Sequence, residues 1–310
     1  MIISVSRRTD IPRFFVPWFM NRIRDGYCLV PNPMYPKQVS RVSLKLKDVT
    51  AIVFWTRFPE ALLPFLEELD SRRYKYYFQY TITGYGKTYE KNAPSPESTI
   101  ECFIKLSEHV GPERVIWRYD PIFFTADMDE AFHLSNFESI SSKLQGKCEK
   151  IVISLLDEYS KTIAAFRKEG IAYSGNPLQR ESLPDFLKQL VLIAGDNNMS
   201  IETCAELADY GDIGINRGHC IDEKLISKLV NQPLKYKKDP SQRQACGCMV
   251  SRDIGVNNTC LGRCIYCYAT QQASIGKAVH DKDFPALIKI PKIVQHVEEN
   301  SGDPEQLDLF

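Results

Sequence analysis

Five of the ten cysteines in this 310-residue chain fall between positions 246 and 267. They read Cys246-Gly-Cys248 and then Cys260-Leu-Gly-Arg-Cys264-Ile-Tyr-Cys267, a C-x-C-x11-C-x3-C-x2-C spacing. The last three share one short loop, and thiolates so placed can converge on a metal without straining the backbone. Soft anionic sulfur suits three irons of a [4Fe-4S] cube and leaves the fourth iron open. Zinc is the rival, since cysteine pairs also build tetrahedral sites, although a zinc ribbon shows two C-x2-C knuckles where this chain has a triplet. Inert buried thiols are the third reading. Cys246 and Cys248 are open to three roles: a second metal, a fourth ligand that would close the open iron, or packing. Cys204 and Cys220 follow candidate strands, where an isolated cysteine is either a rim group or a small core residue.

The elements that must position these groups alternate. Short β-branched or aromatic runs predict strands at Ile2–Ser6, Ala51–Thr56, Lys75–Thr83, Val115–Tyr119, Ile151–Leu155, Met199–Thr203 and Gly214–Asn216. Between them, Glu60–Arg72, Glu97–Val110, Asp129–Leu144 and Leu183–Ala194 repeat apolar residues with helical period. Such alternation implies a parallel sheet. The number of units predicts an α/β fold with a full or partial (β/α) TIM-like barrel, an open doubly wound sheet being the alternative. Residues 27–47 break the rhythm with three prolines and an alternating Val42-Ser43-Leu44-Lys45-Leu46, which predicts an inserted hairpin. Cys248–Ile254 predicts a last short strand lying next to Ile2–Ser6 and feeding the cysteine loop. The expected organisation is a barrel core over 1–240, a cysteine-rich segment with a final strand and helix over 241–290, and a helix and tail over 291–310.

In a parallel sheet the strand ends converge on one rim. Arg7, Arg8, Asp10, Arg57, Gln79, Arg118, Asp120, Cys204 and Glu206 all follow strands, and Arg118, Asp120 and Cys204 are the candidate catalytic groups among them. The arginines either meet phosphates or form ion pairs with Asp10 and Asp120. Thr83-Gly-Tyr-Gly86 reads as a turn.

Formal charge is zero, with 39 basic and 39 acidic residues, which argues against a non-specific polyanion binder or a polybasic membrane anchor. The start of the chain lacks the order of a signal peptide and no apolar run is long enough to span a bilayer, so no membrane association and a cytoplasmic location are expected. A reducing compartment also suits ten cysteines in a chain of this size.

The segment Cys260-Leu-Gly-Arg-Cys264-Ile-Tyr-Cys267-Tyr-Ala resembles the cluster loop of radical S-adenosylmethionine (SAM) enzymes, C-x3-C-x2-C with an aromatic residue before the last cysteine. The resemblance implies a [4Fe-4S] cluster held by Cys260, Cys264 and Cys267, SAM chelating the open iron, and a full or partial barrel. It also implies Tyr266 near the adenine, with Arg8, Asp10 and Gln79 as further cofactor-binding candidates, and a reductase or flavodoxin as electron donor. In that superfamily the loop usually follows the first strand; here it comes late, as in a circularly permuted arrangement. Most of the chain also resembles an uncharacterised bacterial domain-of-unknown-function family whose C-terminal cysteines have been likened to this loop.

The last thirteen residues carry five acidic groups and no Lys or Arg, and the chain ends Gln306-Leu307-Asp308-Leu309-Phe310. This pentapeptide resembles the bacterial sliding-clamp-binding motif, in which the glutamine hydrogen-bonds and the apolar side chains fill a groove. Folding back onto the protein's own surface is the other reading. Together the two resemblances imply a radical SAM enzyme recruited to DNA, with lesion repair as its role. The competing expectation is a non-catalytic iron–sulfur or zinc protein with a recruitment tail.

Overall fold

The computed structural model describes residues 1–35, 38–270 and 279–289. In chain order the elements are β1 (Ile2–Val5), α1 (Ile11–Phe14), α2 (Val16–Asp25), β2 (Tyr27–Pro31), β3 (Val39–Ser43), β4 (Ala51–Thr56), α3 (Leu66–Ser71), β5 (Tyr76–Thr81), α4 (Pro96–Val110), β6 (Val115–Ile122), α5 (Glu130–Leu144), β7 (Lys150–Leu155), α6 (Ser160–Lys168), α7 (Leu183–Asp196), β8 (Ser200–Thr203), β9 (Ile215–Arg217), α8 (Glu223–Val230) and β10 (Arg252–Asp253). The expected tail helix and Gln306–Phe310 lie outside the described residues.

The chain builds a mixed α/β fold around a large parallel sheet. β1 pairs in parallel with β4 and β10, and β5 through β9 pair in parallel in sequence order. Eight strands follow one another as β10-β1-β4-β5-β6-β7-β8-β9. This order is open, so of the full or partial barrel expected from the sequence the closed form is not the one adopted. The terminal strands are short, β9 with three residues and β10 with two. The expected insertion is an antiparallel hairpin, β2 on β3, registered from Tyr27↔Ser43 to Pro31↔Val39.

Local chemistry sets these elements. β4 reads Ala-Ile-Val-Phe-Trp-Thr and is buried along nearly its whole length, as suits a strand covered on both faces. α4 starts where the Ser95 side chain accepts from the Ser98 N–H, with Pro96 in the first turn, and it stops at Gly111. α5 is capped by Asp129, which accepts from the Phe132 N–H. Among the described residues no helix is long and apolar enough to cross a membrane.

The chain divides into two compact units. The first comprises Met1–Tyr76, Ser251–Arg263 and the described part of Ala269–Phe310. Its core sets Phe19 of α2 edge-on to Phe54 of β4 at 5.5 Å, and Trp18 Nε1 donates to the Phe284 carbonyl at 3.0 Å. The second comprises Tyr77–Val250 and Cys264–Tyr268. There Trp117 of β6 stacks on Phe137 of α5 at 4.9 Å, and Tyr80 of β5 meets Phe103 of α4 at 5.0 Å. Each such buried ring contributes about 3 kcal/mol of transfer free energy.

Candidate functional site

In the first unit, the root of the cysteine loop is set by a single carboxylate. β10 pairs with β1 through Ile3↔Arg252 and Ser4↔Asp253, so the loop leaves the C-terminal end of a strand parallel to the first, as the sequence predicts. Asp253 accepts from Ser4 Oγ at 2.8 Å, Ser6 Oγ at 2.6 Å, the Arg7 N–H at 2.8 Å and the Gly255 N–H at 2.9 Å. A Cβ on Gly255 would stand 1.9 Å from Ser6 Oγ, so only glycine permits this closure. Further on, Thr9 Oγ1 donates to the Val256 carbonyl at 2.8 Å and contacts Thr259 Oγ1. Cys260 follows, half-buried.

Two cofactor-binding candidates flank this root. Arg8 donates from Nη1 to the Gly255 carbonyl at 3.2 Å. Asp10 accepts the Arg57 N–H on Oδ2 at 2.9 Å, whereas its Oδ1 is buried with no hydrogen-bond partner. Burial outweighs that bond, a hydrogen bond with the Thr56 side chain and the nearby arginines, and lifts the Asp10 carboxyl to about 6. Asp10 is therefore a desolvated acceptor with one oxygen to spare.

The second unit holds Cys264 and Cys267. Cys264 bridges to Glu90 in antiparallel fashion, the Ile265 N–H donates to the Tyr89 carbonyl at 3.0 Å, and the Cys267 N–H donates to the Cys264 carbonyl at 3.1 Å. Tyr266 is buried; its hydroxyl donates to Glu90 Oε1, which also accepts from Thr83 Oγ1 at 2.5 Å. Its ring lies 5.4 Å from Phe123 and 6.3 Å from Tyr85. Tyr266 thus pins the segment that carries two of the three cysteines. Gly84 and Gly86 adopt left-handed backbone, and the turn itself falls just after them at residues 87–89, closed by the Glu90 N–H donating to the Gly86 carbonyl at 2.9 Å.

The strand ends of the second unit bring together the other candidates. Arg118 donates from Nε to Asp120 Oδ2 at 3.0 Å, with a second bond from Nη2, and from Nη1 to Gln79 Oε1 at 3.1 Å and to Cys220 Sγ at 2.9 Å. Ser154 Oγ donates to Asp120 Oδ1, and Gln79 Nε2 donates to the Cys220 carbonyl at 3.0 Å. The ion pair of Arg118 with Asp120, one of its two sequence readings, is formed. Gln79 is committed at both ends of its amide, and Cys204 meets Cys220, Sγ to Sγ, at 3.4 Å.

Cys246 and Cys248 join the same place. Cys248 is hydrogen-bonded through its thiol to both Cys220 and Cys246, and its sulfur accepts the Ile221 N–H at 3.4 Å. The segment is held by Tyr236, whose hydroxyl donates to the Gly247 carbonyl at 3.2 Å, and by the Met249 N–H, which donates to the Ile221 carbonyl at 3.1 Å. A Cβ on Gly247 would fall 2.3 Å from the His219 ring, so glycine is what lets the two cysteines lie this close to the Cys220 turn. As they stand, no group of three or more His, Cys, Asp or Glu side chains among the described residues has the geometry of a metal-ion site; Cys204 and Cys220 are in sulfur-to-sulfur contact.

Protons in this cluster are unevenly held. The hydrogen bond from Cys248 lowers the Cys246 thiol to about 7 against the opposing effect of burial. The bond with Cys220, followed by burial, pushes Cys204 well up. Burial likewise raises Glu206 to about 7, although its Oε1 accepts the Leu155 N–H at 2.9 Å. The rim therefore presents a carboxyl poised to exchange a proton near neutrality beside the pair of buried Arg118 and half-buried Asp120.

Asp253 and Glu90, the two carboxylates that hold the cysteine loop, escaped sequence reasoning, and Cys220 entered it only as an isolated thiol. Nothing in their local spacing marks them. A family model described as a domain of unknown function (DUF1848) matches residues 2–269. No curated protein matches the chain.

Proposed function

Because the chain belongs to the DUF1848 family, whose description assigns no activity, its own residues must carry the functional reading, and we propose that it is a radical SAM-type [4Fe-4S] enzyme. One observation carries this reading: the C-x3-C-x2-C triplet lies on a loop that leaves the C-terminal end of a strand parallel to β1. Its three cysteines are each half-buried, with soft donors suited to three irons of a cube. Asp10 fits the other half of the requirement, since its buried and unpartnered Oδ1 suits the amino group of SAM. When bound, such a cluster supplies reductive cleavage of SAM to a 5′-deoxyadenosyl radical.

The chain's own part is positioning and charge. Asp253 fixes the root of the loop and Glu90 holds Tyr266 in the apolar pocket of Phe123 and Tyr85. Arg118, Asp120 and Glu206 form the polar rim proposed to receive substrate, with Glu206 able to take or give a proton. Recruitment to DNA by a sliding clamp through Gln306, Leu307, Asp308, Leu309 and Phe310 belongs to the same proposal, as does a reductase or flavodoxin donor.

Anaerobically purified, reconstituted protein given reductant and SAM is expected to release 5′-deoxyadenosine, with an electron paramagnetic resonance signal that changes on adding SAM. Iron-loaded protein that yields no 5′-deoxyadenosine and no spectral change would overturn the reading. Clamp binding should vanish on deleting Gln306–Phe310, and unchanged binding would remove the link to DNA.

A further inference from the structure

We infer that Cys204, Cys220, Cys246 and Cys248 form a second metal site, a closed tetrathiolate centre for one zinc ion. Four sulfurs reach this place from three separate loops: Cys204 after β8, Cys220 after β9 and the Cys246-Gly-Cys248 turn. Sulfur-to-sulfur contact at 3.4 Å between Cys204 and Cys220 is slightly shorter than the ~3.8 Å edge of a tetrahedron built on zinc–sulfur bonds of about 2.3 Å. Small rotations about the cysteine χ1 bonds open the contact to that edge. An iron–sulfur cube sets its own irons and sulfides between the protein sulfurs and needs them well apart, so the contact of Cys204 with Cys220 fits a single ion.

The surroundings are those of a built site. Cys220 Sγ accepts from Arg118 Nη1 and Cys248 Sγ accepts from the Ile221 N–H, the donors that stabilise metal-bound thiolates. Tyr77 and Gln79 both donate to the Cys220 carbonyl, at 2.6 and 3.0 Å, and so fix the turn that presents its sulfur. Zinc entry displaces the four thiol protons to solvent and changes no oxidation state. With all four positions filled by protein the ion has no vacant site, so its role is to hold the β8 and β9 loops to the 246–248 turn.

Zinc and iron should be quantified on anaerobically purified protein and on two variants, C260A/C264A/C267A and C246S/C248S. One zinc per chain is expected in the wild type and in the first variant, falling at least tenfold in the second. Cobalt(II) added to metal-free C260A/C264A/C267A protein, which keeps all four thiols, should give intense tetrahedral visible bands with thiolate-to-cobalt charge transfer. No zinc in the wild type, zinc retained by C246S/C248S, or only weak octahedral cobalt absorption would each overturn the site. Iron without zinc overturns this inference alone, whereas zinc without iron overturns the proposed function alone.

Discussion

The chain carries two sets of cysteines that differ in how they are held. Cys260, Cys264 and Cys267 are all half-buried and lie on one loop, whose fixed points are neighbouring groups: Asp253 at its root and Glu90 beneath Tyr266. Cys220, Cys246 and Cys248 are at most 7% exposed, and half-buried Cys204 meets Cys220 from a separate loop at 3.4 Å. Partial exposure suits a centre that must exchange a ligand and accept an electron. Burial with hydrogen bonds to the sulfurs suits one that exchanges nothing. The two sets of cysteines thus differ in their surroundings, the triplet being half-buried throughout and the quartet buried at all but Cys204.

The strongest way to break this contrast is through Arg118. Arg118→Met removes the guanidinium that serves Asp120, Gln79 and Cys220 together and leaves the Asp120 carboxylate without its ion-pair partner. Breaking a mostly buried pair from one side costs about 3 kcal/mol. Urea unfolding followed by circular dichroism should show that loss as a lowered midpoint for the second unit. A midpoint within 0.5 kcal/mol of wild type on the order-of-magnitude scale of surface changes would show the closed region to be solvated.

Asp253 tests the other side. Asp253→Ala strands two hydroxyls and two backbone N–H groups that now share one carboxylate, at a cost of about 2 kcal/mol. The effect should be local. Amide exchange over residues 254–260 is expected to speed up about tenfold or more while β6 and β7 keep their protection. If β6 and β7 lose protection equally, the loop is part of the main cooperative structure and the contrast with the quartet is lost.

The same two regions show what sequence can and cannot reveal. The triplet is legible because its three sulfurs are neighbours in the chain, so spacing alone brings them together. β4 and the hairpin of β2 and β3 are legible for a similar reason, since period-two patterns are local. The quartet is not, because Cys204, Cys220 and Cys246 meet only after β8 and β9 pair and Gly247 lets the last turn in against His219. The choice among full barrel, partial barrel and open sheet stayed undecided on the same ground: strand count is local, but the order in which strands pair is not. Asp10 and Gln79 were found by their place after strands, yet only three dimensions separate an acceptor with an unpartnered oxygen from an amide already committed at both ends.

The finest probe of the closed region is Glu206, two residues after Cys204. Burial raises its carboxyl to about 7 from an ordinary value near 4.5. Between those values the folded protein holds a proton that the unfolded chain has released, so wild-type stability falls as pH rises through this window. Below pH 4.5 both states are protonated and the group is neutral in its effect; above pH 7 both are ionised and the full penalty of burying the charge is present. Glu206→Gln keeps an oxygen for the Leu155 N–H and cannot ionise. The stability of this variant relative to wild type should therefore rise by on the order of 2 kcal/mol between pH 5 and 8, read from unfolding midpoints across that range. Parallel profiles for the two proteins would mean that water reaches Glu206, and a quartet whose adjoining loop is wet has no claim to be the closed partner of the triplet.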